Sequence, residues 1–113
     1  MELEAFELVL LRRPANPTDY DDATLERIQE EHLDFLRDLR ERELVVTNGP
    51  VLDQPDESLR GLAFYRTGST ERAAELANSD PAVIAGRLTV EVMTWWCSPG
   101  TMVKPGQRIT HSP

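Results

Sequence analysis

Cysteine is almost absent: Cys97 is the only one in 113 residues, so no disulfide can close within the chain. Basic residues are also scarce. Twelve Lys and Arg against 20 Asp and Glu give a formal net charge of −8. That average field repels phosphate backbones and anionic lipid surfaces. The longest basic run is Arg12-Arg13, which is too short to form a local exception. No nucleic-acid or membrane partner is therefore expected. No apolar run approaches the ~20 residues of a membrane span. The opening Met-Glu-Leu-Glu lacks the positive and apolar regions of a secretory signal, so the expected location is cytoplasmic. Phosphate loops, dinucleotide fingerprints and metal-ligand spacings are missing as well. Asp19, Asp21 and Asp22 cluster without the glycine and terminal Glu of a calcium loop, so they read as solvated. Neither a cofactor nor a metal is expected.

What remains is an ordinary folding composition, 40% hydrophobic and 28% charged, at the length of one domain. Residues 3–11 (LEAFELVLL) read as a strand that is apolar on both faces, with Leu3, Ala5, Val9 and Leu11 on one side and Phe6, Leu8 and Leu10 on the other. Two prolines and three acids make 14–22 a loop. A helix capped by Asp22 or Thr24 is expected to run to about Arg42, with Leu25, Ile28, His32, Phe35, Leu36 and Leu39 on one stripe. Residues 44–47 form a strand that is interrupted at Asn48-Gly49-Pro50 or lies at a sheet edge, because proline cannot donate to a ladder; Val51-Leu52 would continue it. A third strand covers 61–66. Ser69 or Thr70 caps a second helix, and Asp80-Pro81 starts a separate helical turn that closes at Gly86. The last strand spans 88–97. The spans expected are a domain over 1–97 and a tail or arm over 98–113.

This order, βαββαβ, is the ferredoxin-like plan: an α+β fold with a four-stranded antiparallel sheet and both helices on one face. The strands are apolar on both faces, so the side away from the helices needs a cover. A second copy of the sheet is the simplest one, which predicts a homodimer, a dimeric α+β barrel.

His32 stands out on a stripe otherwise built of Leu, Ile and Phe. As a core residue it needs only hydrogen-bond partners; as a functional one it is a ready general acid or base. A carboxylate would best fix its tautomer, and Asp80 is the candidate, although an Asp before Pro is also an ordinary helix cap. One carboxylate can do both. Gly49 could offer a backbone amide to a developing oxyanion, or simply be a turn glycine before proline. Tyr65 could donate to a ligand or pack. Trp95 and Trp96 alternate faces at a strand end, one toward a pocket or both in packing. Cys97 has no neighbouring His or Cys and reads as packing, and His111 near the C-terminus has no assigned role.

His32-Leu33 with Leu36 and Leu39, then Leu44, Thr47, Gly49 and Pro50, resembles the HLxxLxxL…GP pattern of the YCII-related family. The segment from Asp80 to Gly86 (DPAVIAG) is similar to that family's DPxVxAG segment. Together the motifs cover roughly Glu4 to Trp96. The resemblance implies a ferredoxin-like fold, a dimer and a His–Asp active site, here His32 and Asp80. It also brings in relatives that dehalogenate or dehydrochlorinate ring compounds and lactones. The long 14–22 loop and the tail depart from the family's short members and leave the substrate open. Two functions follow from this. One is an enzyme without a cofactor that uses His32 and Asp80 for proton transfer on a small organic molecule, lyase- or hydrolase-like. The other is a non-catalytic dimeric module that binds a small ligand or a partner, with the pair serving stability.

Overall fold

Strand β1 (Glu4–Arg12) lies inside the sheet, paired antiparallel with β3 (Leu59–Tyr65) on one side and β4 (Thr89–Cys97) on the other. The edge strand β2 (Val45–Pro50) pairs with β3, giving the order β2-β3-β1-β4. Between the strands run α1 (Asp22–Glu41), α2 (Thr70–Ala77) and the short α3 (Pro81–Ile84). This is a four-stranded antiparallel α+β sheet with its helices on one face, as the sequence predicts. The structure, a computed structural model, describes residues 2–102. The expected tail from 103 onward, with His111, lies outside the described residues. Among the described residues no helix is long and apolar enough to cross a membrane.

The core sits between sheet and helices. Val9 and Leu11 of β1 face the same way as Ala63 and Tyr65 of β3, and they pack with Leu39, Ala73 and Ala77 from the helices. Burying a Leu- or Val-sized side chain contributes about 1.5–3 kcal/mol, so this cluster carries much of the fold. Glu7 shares that face, is buried, and accepts hydrogen bonds from the Thr67 amide and hydroxyl.

The opposite sheet face carries Leu8, Leu10, Leu62, Phe64, Met93 and Trp95, all partly or largely exposed. The rings of Phe64 and Trp95 meet at 4.9 Å between centroids. Their strands flank β1, so the rings pass over it, which accounts for the complete burial of Phe6 opposite Trp95.

Local differences from the expected boundaries have simple causes. The cap of α1 is Asp21, not Asp22 or Thr24; its carboxylate accepts the Thr24 N–H, the third amide after it. Strand β2 extends through Pro50, which an edge position permits. Val51 and Leu52 do not extend it, although the Val51 N–H still donates to Arg60 O at 3.2 Å. Ser69 caps α2, accepting from the Arg72 N–H. The loop over 13–21 is tied to the end of α3. Thr18 N–H donates to Gly86 O, Arg87 Nη1 to Thr18 O, and Tyr20 Oη to Ala85 O. Gly86 has φ +77, and any side chain there would also run into Thr18.

Candidate functional site: a buried His–Asp pair beside a cavity

Helix α1 buries Ile28, His32, Leu36 and Leu39 on one stripe. Spacings of three and four residues put them on one face, so the fold carries His32 inward with its apolar neighbours. Only 8% of His32 is exposed. Asp80 arrives from the other end of the chain. It is the N-cap of α3, with Pro81 in the first helical position, and its Oδ1 accepts the Ala82 N–H at 2.9 Å. That bond fixes the carboxylate, and its second oxygen, Oδ2, lies 2.6 Å from His32 Nδ1. One carboxylate therefore caps α3 and holds the imidazole.

The electrostatics follow from the geometry. A carboxylate can only accept, so Nδ1 carries the proton and donates it to Asp80. The unshared ring nitrogen is then Nε2, which has no hydrogen-bond partner among the described residues. Asp80 is 2% exposed, so its charge is compensated by the imidazole and the Ala82 amide rather than by water. That charge is felt at Tyr65. Burial, with Asp80 adding to it, pushes the Tyr65 phenol well above its ordinary value.

A cavity of about 420 Å³ opens beside the pair, between α1, the β2–β3 edge and α3. His32 and Gly49 both line it, and so do the apolar side chains of Leu11, Ile28, Leu36 and Leu88. Tyr65 is not among its lining residues; it is 2% exposed within the core cluster. Asp80 stands behind His32 and does not line the cavity either. Cys97 is free and half-buried at the far end of β4.

Among the lining residues that went unnoticed in the sequence, four bear on the cavity's shape and charge. Gly61 is buried on β3, and a Cβ there would meet the Gly49 carbonyl oxygen at 2.8 Å, so only glycine lets these two strands approach at the cavity wall. The other three are Arg13, Arg60 and Arg87. Nothing in their spacing signals a group, because the sheet pairing is what assembles them.

Fold and site together define a class: a small α+β protein whose helix–sheet cleft holds an imidazole oriented by a carboxylate. The YCII-related domain model matches residues 8–96, and the chain belongs to that family. Among solved structures the chain is similar to 5-chloro-2-hydroxyhydroquinone dehydrochlorinase from Burkholderia phenoliruptrix AC1100 in complex with 2,5-dihydroxybenzoquinone. The TM-score is 0.51 and the identity 20%, covering 79% of this chain and 92% of that one. At that identity the likeness is one of fold. No functionally curated protein matches the chain.

Proposed function

We propose that this protein is an enzyme that moves a proton on a small organic molecule bound in the cavity, in a lyase- or hydrolase-like reaction. His32 is the general acid or base and Asp80 its positioning residue. The observation that carries the reading is the placement of His32, which lines a cavity of about 420 Å³ while its Nδ1 is held by a buried, capped carboxylate. That volume suits a ligand of one ring. A base whose tautomer is set in advance loses nothing to reorientation when it meets its substrate. Such a proton transfer asks for no cofactor. The similar solved enzyme is a dehydrochlorinase, which points to elimination as the reaction class to try first. In that case His32 Nε2 would take the proton, the C–H electron pair would form the new double bond, and chloride would leave with the C–Cl bonding pair. Gly49 lines the same cavity, where its amide is a candidate donor to the charge that develops.

The same reading takes the protein as a homodimer, with the apolar sheet face of one copy against that of the other. The support is the set of apolar side chains that the helices leave uncovered.

Turnover tests it. Wild type, His32→Gln and Asp80→Asn are assayed against a panel of chlorinated hydroxyaromatics and small lactones, following chloride release and ring opening. His32→Gln should lower kcat by about 10²–10⁴ with little change in KM. Asp80→Asn should cost a comparable amount, because an asparagine that still caps α3 with its oxygen turns its NH2 toward Nδ1 and moves the ring proton onto Nε2. Full turnover in folded His32→Gln would leave the pair as a structural tie between α1 and α3, and the protein as a binding module.

A further inference from the structure

Arg13, Arg60 and Arg87 line the cavity that His32 lines. They come from separate segments, and antiparallel pairing gathers them. Arg12 at the end of β1 lies across from Leu59 at the start of β3 and from Thr89 at the start of β4. Arg13, Arg60 and Arg87 lie within two positions of these, so all three stand at one end of the sheet. Arg60 precedes the inward-facing Gly61 and shares the uncovered face with Leu62, which leaves Arg13 and Arg87 as the cations on the cavity's side. In a chain of formal net charge −8 this grouping runs against the average surface. Among the described residues no Asp or Glu lines the cavity. Nor does any of the three arginines join an ion pair there, whereas Arg12 beside them is held by Asp56 and Glu91. Their hydrogen bonds within the described residues go to neutral carbonyls: Arg87 to Thr18 O at 2.9 Å and Arg60 to Glu57 O at 3.4 Å. A carbonyl orients a guanidinium without cancelling its charge.

We propose that the cavity takes a small organic anion, with an apolar body of ring size against Leu11, Ile28 and Leu88 and a carboxylate or ionised hydroxyl toward Arg13 and Arg87. This rests on the reading of the cavity as the place where His32 acts. Guanidinium groups match such oxygens in geometry and keep their charge at any working pH. Their field also favours the negative charge left on a molecule when a base removes its proton.

The test uses two probes of one shape that differ by a charge, benzoate and benzamide, titrated into the 113-residue protein by ¹H–¹⁵N NMR. Benzoate should shift the amides of Gly49, Gly61 and Ala82, and benzamide should bind about tenfold more weakly or worse. Arg13→Gln and Arg87→Gln should each weaken benzoate by about three- to tenfold, the lower end reflecting solvent exposure. The same spectra show whether each variant is folded. Equal binding of the two probes, arginine variants that bind benzoate like wild type, or no shift of these amides by either probe would each overturn the proposal. The catalytic reading fails separately. If His32→Gln keeps turnover while benzoate still binds through the arginines, the anion site stands without the general base.

Discussion

Tyr65 lies 2% exposed in the core, close enough to feel the charge on Asp80. Its phenol is pushed up, chiefly by burial, so the folded protein keeps this proton after the unfolded chain has released it near pH 10. Below that pH both states are protonated and the residue adds no pH dependence. Above it the unfolded state gains by ionising, and stability falls by up to about 1.4 kcal/mol per pH unit until the folded phenol also titrates. Urea unfolding at pH 9, 10 and 11 should therefore show a steeper alkaline loss in wild type than in Tyr65→Phe. Parallel curves would mean that the phenol is better solvated than its position implies. Residue types were a partial guide to the site. His32 betrays itself because a leucine would serve that stripe at less cost, and Asp80 because it precedes a proline. Their contact spans 48 positions along the chain, and no local pattern encodes it. Tyr65, by contrast, drew interest as a polar strand residue and proves to be core.

The end of α1 shows what one element tolerates. The Leu44 N–H donates to Leu39 O and the Glu43 N–H to Arg40 O, a Schellman ending with Glu43 at φ +61. A left-handed residue with a side chain costs about 1–2 kcal/mol, and glycine there gives back about 0.5–1 in unfolded-state entropy. The first effect wins, so Glu43→Gly should raise stability by about 0.5–1 kcal/mol, read from the denaturation midpoint at constant slope. No gain would mean that Glu43 makes compensating contacts. Element types and order were legible from period and punctuation, since the stripe of α1, the Asp-Pro start of α3 and the Pro50 edge all stand in short windows. The cap was misplaced by one residue because 19–22 offers several carboxylates, and only the finished turn selects the one three residues before Thr24. The arginine group was invisible for a different reason: it exists only once β1, β3 and β4 are paired.

For the whole molecule, the uncovered face is the main feature. Leu8, Leu10, Leu62, Phe64, Met93 and Trp95 form an apolar sheet surface, with the Phe64–Trp95 pair across it. If two copies meet there, light scattering after size exclusion should give a mass near twice 12.8 kDa, and Trp95→Glu should yield a folded monomer. A monomeric wild type at tens of micromolar would remove that part of the reading and require another cover for the face. The two-sided apolar strands made this surface predictable, because a half-solvated sheet alternates polar and apolar residues and these strands do not. At this scale the function depends on one arrangement: an imidazole presented to the cavity by a carboxylate set in the fold. The most direct measurement is the tautomer of the neutral His32 ring, from long-range ¹H–¹⁵N NMR of wild type and Asp80→Asn. Wild type should hold the proton on Nδ1 and leave Nε2 bare, with the preference lost or reversed in Asp80→Asn, whose NH2 would donate to Nδ1. A proton on Nε2 in wild type, or a ring indifferent to Asp80, would contradict the account.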